Sequence, residues 1–198
     1  MERPFMFKGI LLIISVLACG CVSQHPFNLA KIQNKEGIRL LKIAPVKQEQ
    51  NGYCGVACLE EVLYYWGKPV RQKEIWDSIT KGEKDEIIAK ELREYAEQVG
   101  LKGFIFKGNI HDIGANIEKG RPLIIAHEST GFLRGLAGKN DYHYVVVVGY
   151  NKVQDYYIID DPAQNRYWML SDKFEKMWAS GFNFLMLVAP EEKGGDTQ

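Results

Sequence analysis

Apolar residues along this chain follow three rhythms, and each names a different element. From Cys54 to Trp66 the run CGVACLEEVLYYW is apolar on almost every side of a helical projection, with Glu60 and Glu61 as its charged pair. A helix that is apolar nearly all round is a buried one, and Gly67-Lys68-Pro69 stops it. Farther on, Ile87, Ile88, Leu92, Tyr95, Ala96 and Val99 recur at helical spacing. That period predicts an amphipathic helix over 85–99, with Gly100 as its C-cap. His143 to Tyr150 reads HYVVVVGY, apolar without alternation, as a strand covered on both faces does.

The intervals complete the plan. Leu40 to Val46 reads as a short strand leading into the Asn51-Gly52 turn. A helix is expected over 70–79, a strand over 101–106, a short helix from Asn109 to Glu118 closed by Gly120, and a strand over 122–127. Residues 128–140 hold several glycines and few apolar anchors, the pattern of a surface loop. Tyr156 to Asp160 and Arg166 to Leu170 follow the valine-rich strand closely enough to make an antiparallel meander. Ser171 is expected to cap a helix through Ala179, ahead of a last strand from Phe182 to Val188. Helices early and strands late give the α+β class.

Composition narrows the field without choosing within it. The 198 residues are 46% hydrophobic and 25% charged, enough for one domain with a core. Lysine and arginine balance aspartate and glutamate at 25 each, without a basic cluster, which excludes the electrostatic footprint of a nucleic-acid binder. At the N-terminus, Arg3 and Lys8 precede an apolar run from Gly9 to Ala18. That run is about half of the roughly 20 apolar residues a bilayer span needs and suits the core of a signal peptide. Val16-Leu17-Ala18-Cys19 resembles a bacterial lipobox, which implies a lipid on Cys19, with Cys21 as the alternative. The expected partition is a signal peptide over 1–18, a tether over 19–39, one domain over 40–190 and a polar, disordered tail over 191–198. The anchored domain would face the periplasm or the cell exterior.

Cys54 is the residue on which chemistry is most readily built. A thiol at a helix start sees unpaired backbone N–H groups that favour the thiolate. Acyl transfer by cysteine also needs a base, a group to orient it and donors for an oxyanion. His143, at the entrance of the buried strand, can serve as base. Asp160 and Asp161 point to opposite faces of their strand, so one of them can orient His143, and spacing alone leaves both open. Gln48 and Gln50 are the upstream amides for the oxyanion, beside the Cys54 backbone N–H. Cys58, one helical turn beyond Cys54, reads as core packing. His111 and His127, each followed by an acidic residue, lack metal-ligand spacing and read as surface positions. The chain shows no cofactor motif.

The runs QEQNGYCGVACLEEVLYYWG, HYVVVVGY and DDPAQ, in that order, resemble the papain-like peptidase domain that processes bacteriocin precursors after a double-glycine leader. GRPLII at 120–125 and FEKMW before FNFLMLV extend the resemblance over about residues 40–190. It implies a papain-like α+β fold with a central catalytic helix on an antiparallel sheet, and a cysteine peptidase acting on peptide or protein substrates. It implies Gln48 as oxyanion donor, Cys54 as nucleophile, His143 as base and Asp161, the residue before Pro162, as orienting carboxylate. One departure stands out: Glu60 and Glu61 occupy positions where a small or apolar pair is expected.

Overall fold

The buried helix expected after Cys54 organises the molecule. In a computed structural model, which describes residues 24–28, 35–83, 87–129 and 142–192, that helix is α1, Cys54–Tyr65. In chain order the elements are β1 (His25–Pro26), β2 (Ile38–Leu40), α1, α2 (Gln72–Thr80), α3 (Ala89–Gln98), β3 (Lys102–Lys107) and α4 (Ile110–Glu118). Then follow β4 (Leu123–Glu128), β5 (Tyr142–Asn151), β6 (Tyr156–Asp160), β7 (Tyr167–Leu170), α5 (Ser171–Ser180) and β8 (Phe184–Ala189). The strands pair antiparallel in the order β1-β7-β6-β5-β4-β8-β3. β2 joins β5 where β4 leaves it, at Gly149. A side chain at Gly149 would put its Cβ 2.4 Å from the Arg39 carbonyl, so glycine is what lets β2 approach there.

β5 is the spine of the sheet. Val145, Val146, Val147 and Val148 are all fully buried, and successive strand residues face opposite sides, so both faces of β5 are covered. α1 packs on β5, α3 on β3 and β8, and α5 on β4, β6 and β7. Every residue from Gly55 to Leu63 in α1 is buried, as the apolar pattern predicts, and Glu60 and Glu61 are buried with them. Gly67, at φ +71°, closes α1, with the Lys68 N–H returning to the Leu63 carbonyl at 2.8 Å.

Where element bounds differ from the sequence pattern, backbone capping explains the difference. α3 starts at Ala89 because Ile88 is extended and its N–H is held by Glu91 Oε2 at 3.0 Å. Ile88 therefore stays exposed instead of joining the apolar face of α3. β8 starts at Phe184, not Phe182, because Phe182 and Asn183 take left-handed φ values of 58° and 55° in the turn from α5. Ser171 lies inside α5 and contributes no side-chain cap. The segment 41–48 runs beside α1 without ladder pairing, and the strand expected there is β2, a few residues earlier. α4 follows expectation: Asn109 Oδ1 accepts the N–H groups of His111 and Asp112, and Asp112 Oδ2 accepts that of Asn109.

Two short strands, β1 and β2, come from the stretch read as a tether and its junction with the domain. The apolar run 9–18, Cys19, Cys21, residues 130–140 of the expected loop and the tail from 193 onward lie outside the described residues. Among the described residues, no helix is long and apolar enough to cross a membrane.

Candidate active site

Three of the four residues singled out in the sequence, Cys54, His143 and Asp161, act on one another at the junction of α1 and β5. Cys54 is the first residue of α1. Tyr53, at the N-cap position, is buried and stacked on Trp76 with ring centroids 4.4 Å apart, and no side chain caps the helix. The N–H groups at this end are thus free to turn toward the thiol. The Gly55 and Tyr144 N–H groups and the His143 ring are the donors that act on the Cys54 sulfur and favour its thiolate. Gly55 keeps the packing close here: a Cβ would lie 3.0 Å from Leu92 Cδ1, tighter than ordinary contact.

His143 stands second in β5, and its Nε2 lies 2.8 Å from Asp161 Oδ1, which leaves Nδ1 for Cys54. Asp161 is itself held in place. Its Oδ1 accepts the Ala163 N–H at 2.9 Å and its Oδ2 accepts Gln164 Nε2 at 3.1 Å. Asp160 faces the other way, forked onto Arg166 through Nε and Nη2 at 2.5 Å each. The geometry therefore separates the two neighbours that spacing left open.

The charges at this junction support one another. Burial pushes the Cys54 thiol up, but the His143 hydrogen bond, the Tyr144 N–H, the His143 charge and the Gly55 N–H together bring it below its ordinary 9.0. Burial pushes His143 down, and Asp161 and Cys54 reverse that and raise it to about 9. Both directions favour a thiolate paired with an imidazolium. Cys58, fully buried one turn along, is raised well above 9.0 by burial first and by the Cys54 charge next.

Gln48 is half-buried, and its N–H donates to the Pro162 carbonyl at 2.9 Å, which ties it to the turn that carries Asp161. Gln50 is exposed, and its carbonyl accepts the Tyr53 N–H at 3.2 Å, so it builds the turn into α1. Sequence reasoning missed Gln72. Its amide is buried in α2, donates to the Lys47 carbonyl at 2.8 Å and accepts the Glu49 N–H at 2.9 Å, so it brackets Gln48 on both sides. Nothing in a lone glutamine near a helix start announces that role.

His127 also departs from expectation. It lies directly opposite His143 in the β4–β5 register, with ring centroids 5.4 Å apart and edge to face. Its Nδ1 is 2.9 Å from the Glu128 carbonyl, and burial lowers its pKa. Pairing GRPLII with HYVVVV in register is the signal that brings it to the site. His111 is exposed at the start of α4. A cavity of about 720 Å³ opens beside α1 between residues 42–47 and Glu60, Glu61, Tyr64 and Arg71, and neither Cys54, His143 nor Asp161 lines it. Among the described residues, no three His, Cys, Asp or Glu side chains meet as a metal site.

A helix with cysteine at its start, buried across an antiparallel sheet, is the papain-like cysteine peptidase fold. Residues 40–181 match the Peptidase C39 like family, and the chain belongs to it. Solved structures agree in fold. A double glycine motif protease from an AMS/PCAT transporter, in complex with its leader peptide, is 23% identical with a TM-score of 0.55, over 76% of this chain and 94% of that one. The peptidase domain of Streptococcus ComA, a bi-functional ABC transporter, is 23% identical with a TM-score of 0.57, over 74% and 98%. A protein described as a C39-like peptidase from Bacillus anthracis is 16% identical with a TM-score of 0.63, over 77% and 97%. At these identities the likeness is one of fold. No curated protein matches the chain.

Proposed function

We propose that this protein is a cysteine peptidase that cleaves peptide bonds through Cys54, His143, Asp161 and Gln48. The observation that carries the reading is the continuous row Asp161–His143–Cys54, with the thiol at the uncapped start of a buried helix. In the first half-reaction the Cys54 thiolate bonds to the substrate carbonyl carbon. The oxygen that becomes negative is met by the Cys54 backbone N–H and the Gln48 side-chain amide. His143 gives its proton to the amine as the C–N bond breaks, leaving a thioester. In the second, His143 takes a proton from water, the hydroxide displaces the thiolate, and a carboxylic acid leaves. Asp161 keeps the imidazole ring oriented throughout and stabilises its charged form.

The substrate class is peptide, in line with the leader peptide bound by one solved relative. The lipobox resemblance at Val16-Leu17-Ala18-Cys19 supports lipid anchoring outside the cytoplasm. Labelled palmitate entering the chain, and not a Cys19→Ala variant, tests that part; full labelling of the variant would transfer the role to Cys21.

The chemistry is tested on the chain with Cys19 and Cys21 replaced by serine, so that Cys54 and Cys58 are the remaining thiols. Iodoacetamide should modify Cys54 rapidly well below the free-thiol pKa of about 8.5, and peptides with a Gly-Gly junction should be cleaved. Ordinary thiol titration without cleavage would identify a peptide-holding domain instead of an enzyme.

A further inference from the structure

The most unusual buried group outside the row is Glu61. It sits on α1 two turns beyond Cys54, is 2% exposed and reaches two other parts of the site. One carboxyl oxygen, Oε2, accepts the Val46 N–H at 3.0 Å. The other, Oε1, is buried with no donor against it, and the Asp160 carboxylate is the charged group that acts most strongly on this side chain. A buried carboxylate with one oxygen lacking a donor and a second carboxylate beside it is costly, and holding the proton removes that cost. The Arg166 contacts go elsewhere: Nε and Nη2 fork onto Asp160, and Nη2 also reaches the Ile43 carbonyl at 2.9 Å.

We propose that Glu61 is a positioning residue, held as the neutral acid, which fixes the Gln48 segment and the Asp161 turn to the helix that carries Cys54. The inference rests on the peptidase reading for its catalytic consequence. In this form Glu61 donates to Asp160 through O–H while accepting from Val46. Asp160 immediately precedes Asp161, and Val46 lies two residues before Gln48. Three further bonds pin the same segment: Lys47 and Glu49 to Gln72, and the Gln48 N–H to the Pro162 carbonyl. Glu61 is thus the point at which helix, oxyanion segment and His143-orienting turn meet.

The groups facing it account for its proton. Burial raises it first, then the Asp160 charge and the shared hydrogen bond; the Val46 N–H and Arg166 oppose them, and the result is about 10. Cys58, on the same helix, and the neighbouring Glu60–Arg71 ion pair at 3.0 Å complete the surroundings. The sign follows directly. The unfolded chain releases this proton near 4.5 and the folded one near 10, so the contribution to stability is fully present below about 4.5 and is lost as pH rises toward 10.

Glutamine offers the same donor and acceptor without a proton to lose, so Glu61→Gln and Glu61→Leu separate position from bulk. In the full chain, Glu61→Gln should keep peptide turnover within about twofold of wild type, because both hydrogen bonds survive. Its melting temperature should rise relative to wild type as pH increases from 5 to 9. Glu61→Leu should lower kcat about tenfold or more with little change in KM, the scale of a small misplacement. It should also speed hydrogen exchange at the Val46 and Gln48 amides. Glu61→Gln as impaired as Glu61→Leu, or a melting-temperature difference flat in pH, overturns the proposal; the second readout holds even if Glu61→Leu does not fold. Faster exchange in Glu61→Leu with no peptide cleaved by wild type would sink the peptidase reading and leave the positioning role standing.

Discussion

Two cysteines one turn apart on α1 experience opposite fates. For both, burial is the largest influence and pushes the thiol up. For Cys58 the next influence, the Cys54 charge, pushes the same way as burial. Cys54 meets an imidazole and two backbone N–H groups, and ends below its ordinary value. Depth in the core therefore does not decide reactivity. What decides it is whether donors converge on the sulfur, and donors are found at a helix start and a strand entrance, not in the middle of a helix.

The widest separation of the two comes from deletion. Cys54→Ala should reduce kcat for peptide cleavage to background, a loss of about 10⁶ on the scale of other nucleophile deletions. Gln48→Ala sharpens the contrast differently, since the proposed role of Gln48 is on the substrate oxygen and not on a thiol. It should cost about 10²–10³ in kcat while leaving Cys54 alkylation unchanged, and Gln50→Ala should alter neither kcat nor alkylation. His143→Ala should bring the cysteines closer together: alkylation of Cys54 at pH 6 falls about tenfold for each pKa unit the thiol regains.

The pH profile is a finer probe. The pair is productive above the lowered Cys54 pKa and below that of His143, so activity should begin to rise below the ordinary thiol value of 9.0 and fall near pH 9. Asp161→Asn removes the main partner that raises His143 and should move the alkaline limb downward. The smallest effect belongs to Cys58→Ala: a stability loss of about 1 kcal/mol, read by chemical denaturation, with activity retained.

Much of this was legible in the sequence because it is written as periodicity. The all-apolar run after Cys54 gave a buried helix, and HYVVVVGY gave a strand covered on both faces. The short helix expected from Asn109 to Glu118 starts one residue later, at Ile110, with Asn109 as its cap. The motif order, through resemblance, led to Asp161 over Asp160; Asp161 Oδ1 lies 2.8 Å from His143 Nε2, and Asp160 is forked onto Arg166. The helix and strand starts were misjudged where a single capture decides them, as Glu91 does for Ile88. Gln72, His127 and Glu61 were illegible as site residues for a common reason. Their significance lies in contacts 15 to 25 residues away along the chain, or across a strand register, and no local pattern encodes these.

β1 has a consequence of a different kind. His25 pairs with Trp168 and stacks on it at 4.4 Å, so the chain is fastened to the sheet from that residue onward. Cys19 lies only six residues upstream. An extended chain covers at most about 3.6 Å per residue, so a lipid on Cys19 would leave a leash of about 20 Å. The domain would patrol a thin layer at the bilayer surface, and any peptide it cuts would have to arrive there by diffusion or already be travelling along the membrane.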